Sequence, residues 1–156
     1  MRLAPILTVV LAVVLAAMPL PAAIAPFKPD WVAVTMIYWS LAAPPAFGLA
    51  SALIVGLALD VLSGALLGQH GLGLMLIVYL SRKFRLRLRA FPAMQSMLAV
   101  SVLLALNEFL LLWIDGVAGR TVPIGERWPP IASGTLLWLL VWSTFDHGRE
   151  QAPARL

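Results

Sequence analysis

Six apolar stretches follow one another along the chain, and each is bounded by prolines, glycines or charged residues. Their approximate bounds are 3–20, 28–43, 46–62, 66–81, 93–114 and 129–145. A helix needs about 17–25 mostly apolar residues to cross a bilayer, and these stretches are close to that length. The pattern therefore predicts an all-α membrane protein: a bundle of about six transmembrane helices forming one integral membrane domain over residues 1–156.

The scarcity of charge argues against most soluble classes. Of the residues, 62% are hydrophobic and 12% are charged, whereas a soluble domain is about 25% charged. So few ionic groups could not cover a water-soluble globule, and disordered or nucleic-acid-binding proteins fit equally poorly. The sequence has no cysteine, which excludes disulfides and cysteine-ligated metals. We expect no nucleic acid partner, no metal and no cofactor.

Two of the predicted boundaries allow a second interpretation. The first stretch fits a signal peptide cleaved after Ala25 as well as an uncleaved span, and Pro26 directly after that site favours the span. Residues 31–62 could form one kinked helix, which would reduce the count to five spans. Six spans are preferred, because 32 residues exceed one crossing and Pro44-Pro45 suits a hairpin.

Lysine and arginine are unevenly distributed between the two ends of the predicted spans. With six spans and both termini inside, eight lysines and arginines lie inside and three lie outside, as the positive-inside rule requires. The five-span alternative gives the same ratio, so the rule predicts a cytoplasmic C-terminus and leaves the side of the N-terminus open. The inside set is Arg2, Arg82, Lys83, Arg85, Arg87, Arg89, Arg149 and Arg155, and the outside set is Lys28, Arg120 and Arg127.

Small residues recur every four positions from Gly48 to Gly68, and Asp60 lies among them. On a helix this spacing gives a face where another backbone can approach closely, either within this chain or from a partner helix. A carboxylate in lipid must pair or take a proton, so Asp60 should face protein. Asp60→Leu is therefore expected to fold and to insert at least as well as the parent. The members of this stripe are Gly48, Ala52, Gly56, Asp60, Gly64 and Gly68.

Several polar residues should share the outer leaflet, if the helices run as predicted. We hypothesise one cluster that would either hold the helices in order or face a periplasmic partner or ligand; its members are Asp60, His70 and Glu108, with Gln69 and Asn107 nearby. No GxSxG, HExxH or phosphate-loop pattern occurs, and no nucleophile or metal set accompanies the two carboxylates. The chain is therefore not expected to be an enzyme.

A basic run spans residues 82–89. On a single helix Phe84, Leu88 and Phe91 would share one side. The opposite part would carry Arg82, Arg85 and Arg89, flanked by Lys83 and Arg87. Such a segment is typical of a helix lying among anionic lipid headgroups, and an acidic cytoplasmic partner is the alternative.

Five blocks in fixed order resemble the rod shape-determining MreD family of proteobacteria, over residues 27–113. They are Lys28-Pro29-Asp30-Trp31, Ile37-Tyr38-Trp39, Gly56-Leu57-Ala58-Leu59-Asp60-Val61-Leu62-Ser63-Gly64, Leu67-Gly68-Gln69-His70 and Phe91-Pro92-Ala93-Met94-Gln95. Two positions depart from the family pattern: Lys28 stands where arginine is frequent, and Ser96 where a second glutamine is frequent.

The resemblance implies a non-enzymatic, multi-pass subunit of the cell-elongation machinery in the bacterial inner membrane, needed for rod shape and lateral peptidoglycan synthesis. It would bind the bitopic scaffold MreC and link MreB filaments to RodA and its transpeptidase partner. The family fold is thought to resemble the substrate-binding subunits of energy-coupling-factor vitamin transporters, so a vitamin-like-binding transporter subunit is the alternative function. Homo-oligomerisation stays open.

The resemblance also suggests roles for individual residues. The stripe around Asp60 would pack the bundle or receive the scaffold's single helix. Asp30, Trp31, Gln69 and His70 would lie at the periplasmic surface. The basic run would face the cytoplasmic filament or anionic phospholipid.

Overall fold

The computed structural model describes residues 3–121, 123, 125 and 127–150, and the backbone alone for residues 144–150. Arg2 and Arg155 lie outside the described residues, as does the side chain of Arg149. All regular elements in this part of the chain are helical, which confirms the predicted all-α class. They are α1 (Leu3–Ala17), a 3-10 turn (Ala25–Phe27), α2 (Trp31–Ala42), α3 (Leu49–Ser63), α4 (Gln69–Lys83), α5 (Arg85–Ala90), α6 (Ala93–Val117) and α7 (Pro129–Glu150).

Helix α6 has the length and composition needed to cross a membrane on its own. It has 25 residues and a mean hydropathy of 2.2 over its most apolar window. Three shorter apolar segments, Leu3–Ala17, Leu49–Ser63 and Pro129–Ser143, fall below that length. The crossing of the bilayer by six helices therefore stays a prediction. Within the described residues, α6 meets the length and composition criteria together.

Local sequence signals explain why several helices are shorter than the predicted spans. Asp30 caps α2, because its Oδ1 accepts a hydrogen bond of 2.9 Å from the Ala33 amide, so the helix begins at Trp31. Gly64 ends α3 with a φ of 65°, and Gly68 precedes α4 with a φ of 95°. These left-handed conformations suit glycine and form the α3–α4 turn.

The α3–α4 turn shortens the stripe of small residues. Within α3, Ala52, Gly56 and Asp60 are buried on one face. Gly64 and Gly68 keep the spacing in sequence but lie in the turn, where the helix has ended. The stripe is therefore one helical face at residues 52–60 followed by two turn glycines.

Helix α4 lies at the centre of the bundle, in contact with α2, α3 and α6. The α3–α4 pair is very close: a Cβ on Gly56 would lie 2.3 Å from the Cα atom of Gly71. Helix α6 packs on α7, where the buried Trp138 donates an Nε1 hydrogen bond of 2.8 Å to Ser96 Oγ. Small residues and a few interhelical hydrogen bonds thus hold the bundle together, as is usual for helices in lipid.

The two ends of the bundle differ in chemistry. One end, called the polar end here, carries the starts of α2 and α4 and the end of α3. At the other, called the basic end, Arg85 Nε donates a hydrogen bond of 3.0 Å to the carbonyl of Leu41, near the end of α2. A Cβ on Gly48 would lie 2.8 Å from an Arg82 nitrogen, so the start of α3 is also at the basic end.

Candidate functional site: a polar network at one end of the bundle

Asp60 joins the end of α3 to the start of α4. Its carboxylate accepts hydrogen bonds from the backbone amides of Gly68, at 2.7 Å, and His70, at 2.9 Å. Asp60 Oδ1 also lies 2.8 Å from His70 Nδ1, and the residue is only 1% exposed. The first amides of a helix have no partner within the helix, so a carboxylate at that position satisfies them and complements the helix dipole.

A second set of contacts runs from α4 through α6 to Arg127, two residues before α7. Gln69 Nε2 donates a hydrogen bond of 2.9 Å to Asp115 Oδ1. The Arg127 guanidinium forms ion pairs with Asp115 and with Glu108, the latter at 3.3 Å. All three ionic side chains are largely buried, so each charge needs its partner to offset the free-energy cost of removal from water.

A third contact joins α6 to α2. Asn107 Nδ2 donates a hydrogen bond of 3.1 Å to Asp30 Oδ2, while Asp30 Oδ1 caps α2. Gly73 leaves the space for this amide, since a Cβ there would lie 2.2 Å from Asn107 Oδ1. Together, the three sets of contacts define the polar network: Asp30, Asp60, Gln69, His70, Asn107, Glu108, Asp115 and Arg127.

The structure brings most of the hypothesised polar residues to the polar end. Asp60 contacts His70 directly, whereas the chain from Gln69 to Glu108 runs through Asp115 and Arg127. Trp31 directly follows Asp30 and is half-buried against the core. Gly48 lies apart, at the basic end beside Arg82. What these residues do for a partner stays a prediction.

Sequence reasoning missed two members of the network, Asp115 and Arg127. Asp115 lies seven residues after Glu108, two helical turns along the same face, so the spacing was a usable signal. Arg127 was assigned to an outer loop, and no pattern in the sequence indicates that it turns inward. Only the fold places its guanidinium between two carboxylates of α6.

The hydrogen bonds and ion pairs of the network join residues of different helices and of the segment before α7. Within the described residues, Asn107 Oδ1 and Arg127 Nε are buried without a hydrogen-bond partner. In the same part of the chain no three His, Asp or Glu side chains come together as a metal site. Glu108 and Arg127 line a cleft of about 90 Å³ with apolar neighbours. The arrangement ties α2, α3, α4 and α6 to the start of α7 at one end of the bundle.

The basic run is interrupted, in contrast to the single helix considered from the sequence. Helix α4 ends at Lys83, Phe84 adopts a non-helical conformation, and α5 begins at Arg85. Of the apolar side predicted for one helix, Leu88 is buried, whereas Phe84 is exposed. The break arises where the chain turns from α4 onto the surface of the bundle.

Comparison with known proteins assigns the family. A family model described as the rod shape-determining protein MreD matches residues 2–145. This chain belongs to the MreD family. The family description concerns cell shape and names no reaction. Homologues in the family are membrane proteins, which agrees with the apolar helix α6.

A curated MreD relative supports the assignment. The rod shape-determining protein MreD of Haemophilus influenzae is 35% identical over 92 residues, which are 58% of this chain. The alignment spans 57% of the length of that relative. No solved structure matches this MreD family member, so the expected likeness to vitamin-transporter subunits has no support from that comparison.

Proposed function

We propose that this MreD family member is a non-enzymatic membrane scaffold subunit of the complex that maintains rod shape. The observation that carries the proposal is the family match, which extends over residues 2–145. The structure adds a physical basis, because the polar network joins α2, α3, α4 and α6 to one another and to the segment that precedes α7. A subunit that binds other proteins needs such a rigid frame more than it needs a reactive site.

The proposed orientation places the polar end in the periplasm and the basic end in the cytoplasm. The distribution of lysine and arginine supports it, because five cations lie between residues 82 and 89. In this orientation the polar end would meet an MreC-like bitopic scaffold together with RodA and its transpeptidase partner. The basic end would meet MreB filaments or anionic lipid. The inner membrane is the proposed location, with several crossings and the C-terminus inside.

Contact with the scaffold is proposed for the α3–α4 turn rather than for the stripe. Gly56 and Asp60 are covered by α4, which favours packing within the chain. By contrast Leu67, at the tip of the turn, is 75% exposed, and the His70 side chain is 28% exposed. An exposed leucine at the polar end offers a partner an apolar contact beside a rigid network.

Depletion of this protein should turn rod-shaped cells into spheres, and detergent extracts should co-purify an MreC-like protein. In the same pull-down Leu67→Ala should reduce the amount of that partner, because it removes the exposed apolar contact. Arg120→Ala is the matched control, since Arg120 is also exposed and follows α6 at the polar end. Normal rods after depletion would contradict the scaffold function, and equal recovery with both variants would contradict contact at the turn.

A vitamin-like-binding subunit with its ligand at the polar end is the alternative function, and the geometry of that end favours it less. Small-molecule sites usually enclose about 300–1,000 Å³ with convergent polar groups. The cleft beside Glu108 and Arg127 measures about 90 Å³. The polar groups of the network form hydrogen bonds and ion pairs with one another. The cleft therefore offers a small molecule little space and few free donors.

A further inference from the structure

An apolar groove and a basic cleft meet at Arg87, at the basic end of the bundle. The groove has a volume of about 400 Å³ between α4, α5 and α6, and Arg87 is the charged residue in its lining. The cleft has a volume of about 590 Å³, and its lining includes Arg82, Lys83, Arg85 and Arg87. We propose that the two together bind one anionic glycerophospholipid, with its phosphate among the cations and an acyl chain in the groove.

The groove runs along α6 over part of the depth of one leaflet. Its α6 wall runs from Ala99 to Leu106, at helical spacings of three and four residues. At 1.5 Å per residue, this wall covers about 10 Å, and Leu106 lies about 20 Å from the start of α6 at Ala93. One leaflet contributes about 15 Å of hydrocarbon to the bilayer. The α6 wall is therefore about two thirds as long as the hydrocarbon of one leaflet is thick, enough to hold most of an acyl chain segment of that leaflet.

The cations of the cleft have guanidinium and ammonium donors left for an anion, although Arg85 Nε already donates to the Leu41 carbonyl. None of the described carboxylates lies within ion-pair distance of them, and the ion pairs found in the described residues involve His70 and Arg127. Arginine offers a phosphate two parallel donors, which makes a cleft of this composition complementary to an anionic headgroup.

A defined site differs from general attraction between a basic surface and an anionic membrane. Arg87 borders both the groove and the cleft, whereas Arg89 borders neither. Both arginines belong to α5 and both are exposed. If lipid binding were general electrostatic attraction, loss of either arginine would weaken it equally. If lipid binds at the junction of groove and cleft, loss of Arg87 weakens binding more than loss of Arg89.

The test is native mass spectrometry of the purified full chain in detergent, titrated with phosphatidylglycerol and with phosphatidylcholine of the same acyl chains. We expect one phosphatidylglycerol per chain in preference to phosphatidylcholine. Arg87→Ala should weaken phosphatidylglycerol binding about fivefold to tenfold, and Arg89→Ala less than about twofold. Equal losses in the two variants would show general surface attraction and overturn the proposal.

A second arm tests the acyl chain. Ala99→Phe fills the groove without changing any charge. It should weaken phosphatidylglycerol binding about as much as Arg87→Ala does. Both variants are compared at the same fold stability, as judged by an unfolding temperature equal to that of the parent protein. Ala50→Phe is the control, because Ala50 is exposed near the start of α3, outside the groove. Deacylated glycerophosphoglycerol should not compete. Competition equal to that of the lipid would identify a simple phosphate site and overturn the proposal.

This inference rests on the proposed placement of the basic end at the cytoplasmic leaflet. The lipid measurements are made on isolated protein and do not depend on cell shape or on partners. A failure of lipid binding would therefore leave the scaffold function intact, and normal rods after depletion would leave the lipid site intact.

Discussion

Replacing Asp60 with leucine should lower the free energy of unfolding by at least about 3 kcal/mol. The Asp60 carboxylate accepts from two backbone amides at the α3–α4 turn and lies in contact with His70 Nδ1. Leucine offers no acceptor, so up to three polar groups lose their partner at a site that is 1% exposed. Unfolding of the purified protein by added SDS, followed by far-UV circular dichroism, measures the change.

Two further variants separate lost hydrogen bonds from other effects at this position. Asp60→Asn keeps one oxygen acceptor and should lose clearly less stability than Asp60→Leu. Val61→Leu changes a neighbouring exposed residue and should have the stability of the parent. An Asp60→Leu protein as stable as the parent would mean that the turn is not held by this carboxylate.

The second large effect is expected for Gly56→Ala, which should cost about 2–4 kcal/mol, at or above the usual range for overpacking. A methyl group at Gly56 would lie 2.3 Å from the Cα atom and 2.4 Å from the amide nitrogen of Gly71. Backbone atoms cannot rotate away as a flexible side chain can, so α3 and α4 must separate. The same SDS titration measures the loss.

Gly116→Ala is the matched control for Gly56→Ala. Gly116 lies in α6 and has nothing within 4 Å of the position that a Cβ would take. Alanine favours a helix over glycine by about 0.5–1 kcal/mol, so this variant should equal or exceed the parent in stability. Equal destabilisation by the two substitutions would contradict the close α3–α4 contact.

Hydropathy could predict the helices because each apolar stretch ends at a strong local signal. Pro44-Pro45 separates α2 from α3, and Pro129 opens α7. The same signals could not give the exact lengths. Where α2 begins depends on a side-chain cap by Asp30, and where α4 begins depends on the left-handed Gly68.

Asp60 shows what sequence reasoning could and could not reach. The cost of a carboxylate in lipid indicated that Asp60 faces protein, and the structure buries it. From that cost alone, a leucine at this position is expected to fold and insert. The structure leads to the opposite expectation, because the amides of Gly68 and His70 depend on this acceptor. Such a dependence arises from the geometry of the turn, which no residue spacing reveals.

The network also shows the limit of assigning residues by depth along a helix. Depth correctly put Asp60 and Glu108 at the same end, yet the structure connects them only through other residues. Arg127 closes that connection from a segment that looks like an ordinary polar loop. Tertiary packing decides which way a loop arginine turns, so the sequence could predict the polar end and not its central cation.

The most direct test of the account is the sidedness of the two ends of the bundle. The sequence has no cysteine, so Arg120→Cys and Leu86→Cys each introduce one exposed thiol, at the polar end and at the 84%-exposed position in α5. A membrane-impermeant maleimide is added to spheroplasts before and after permeabilisation. We predict that Arg120→Cys is labelled in intact spheroplasts and Leu86→Cys only after permeabilisation. Labelling of Leu86→Cys from outside would place the basic end in the periplasm and contradict the account.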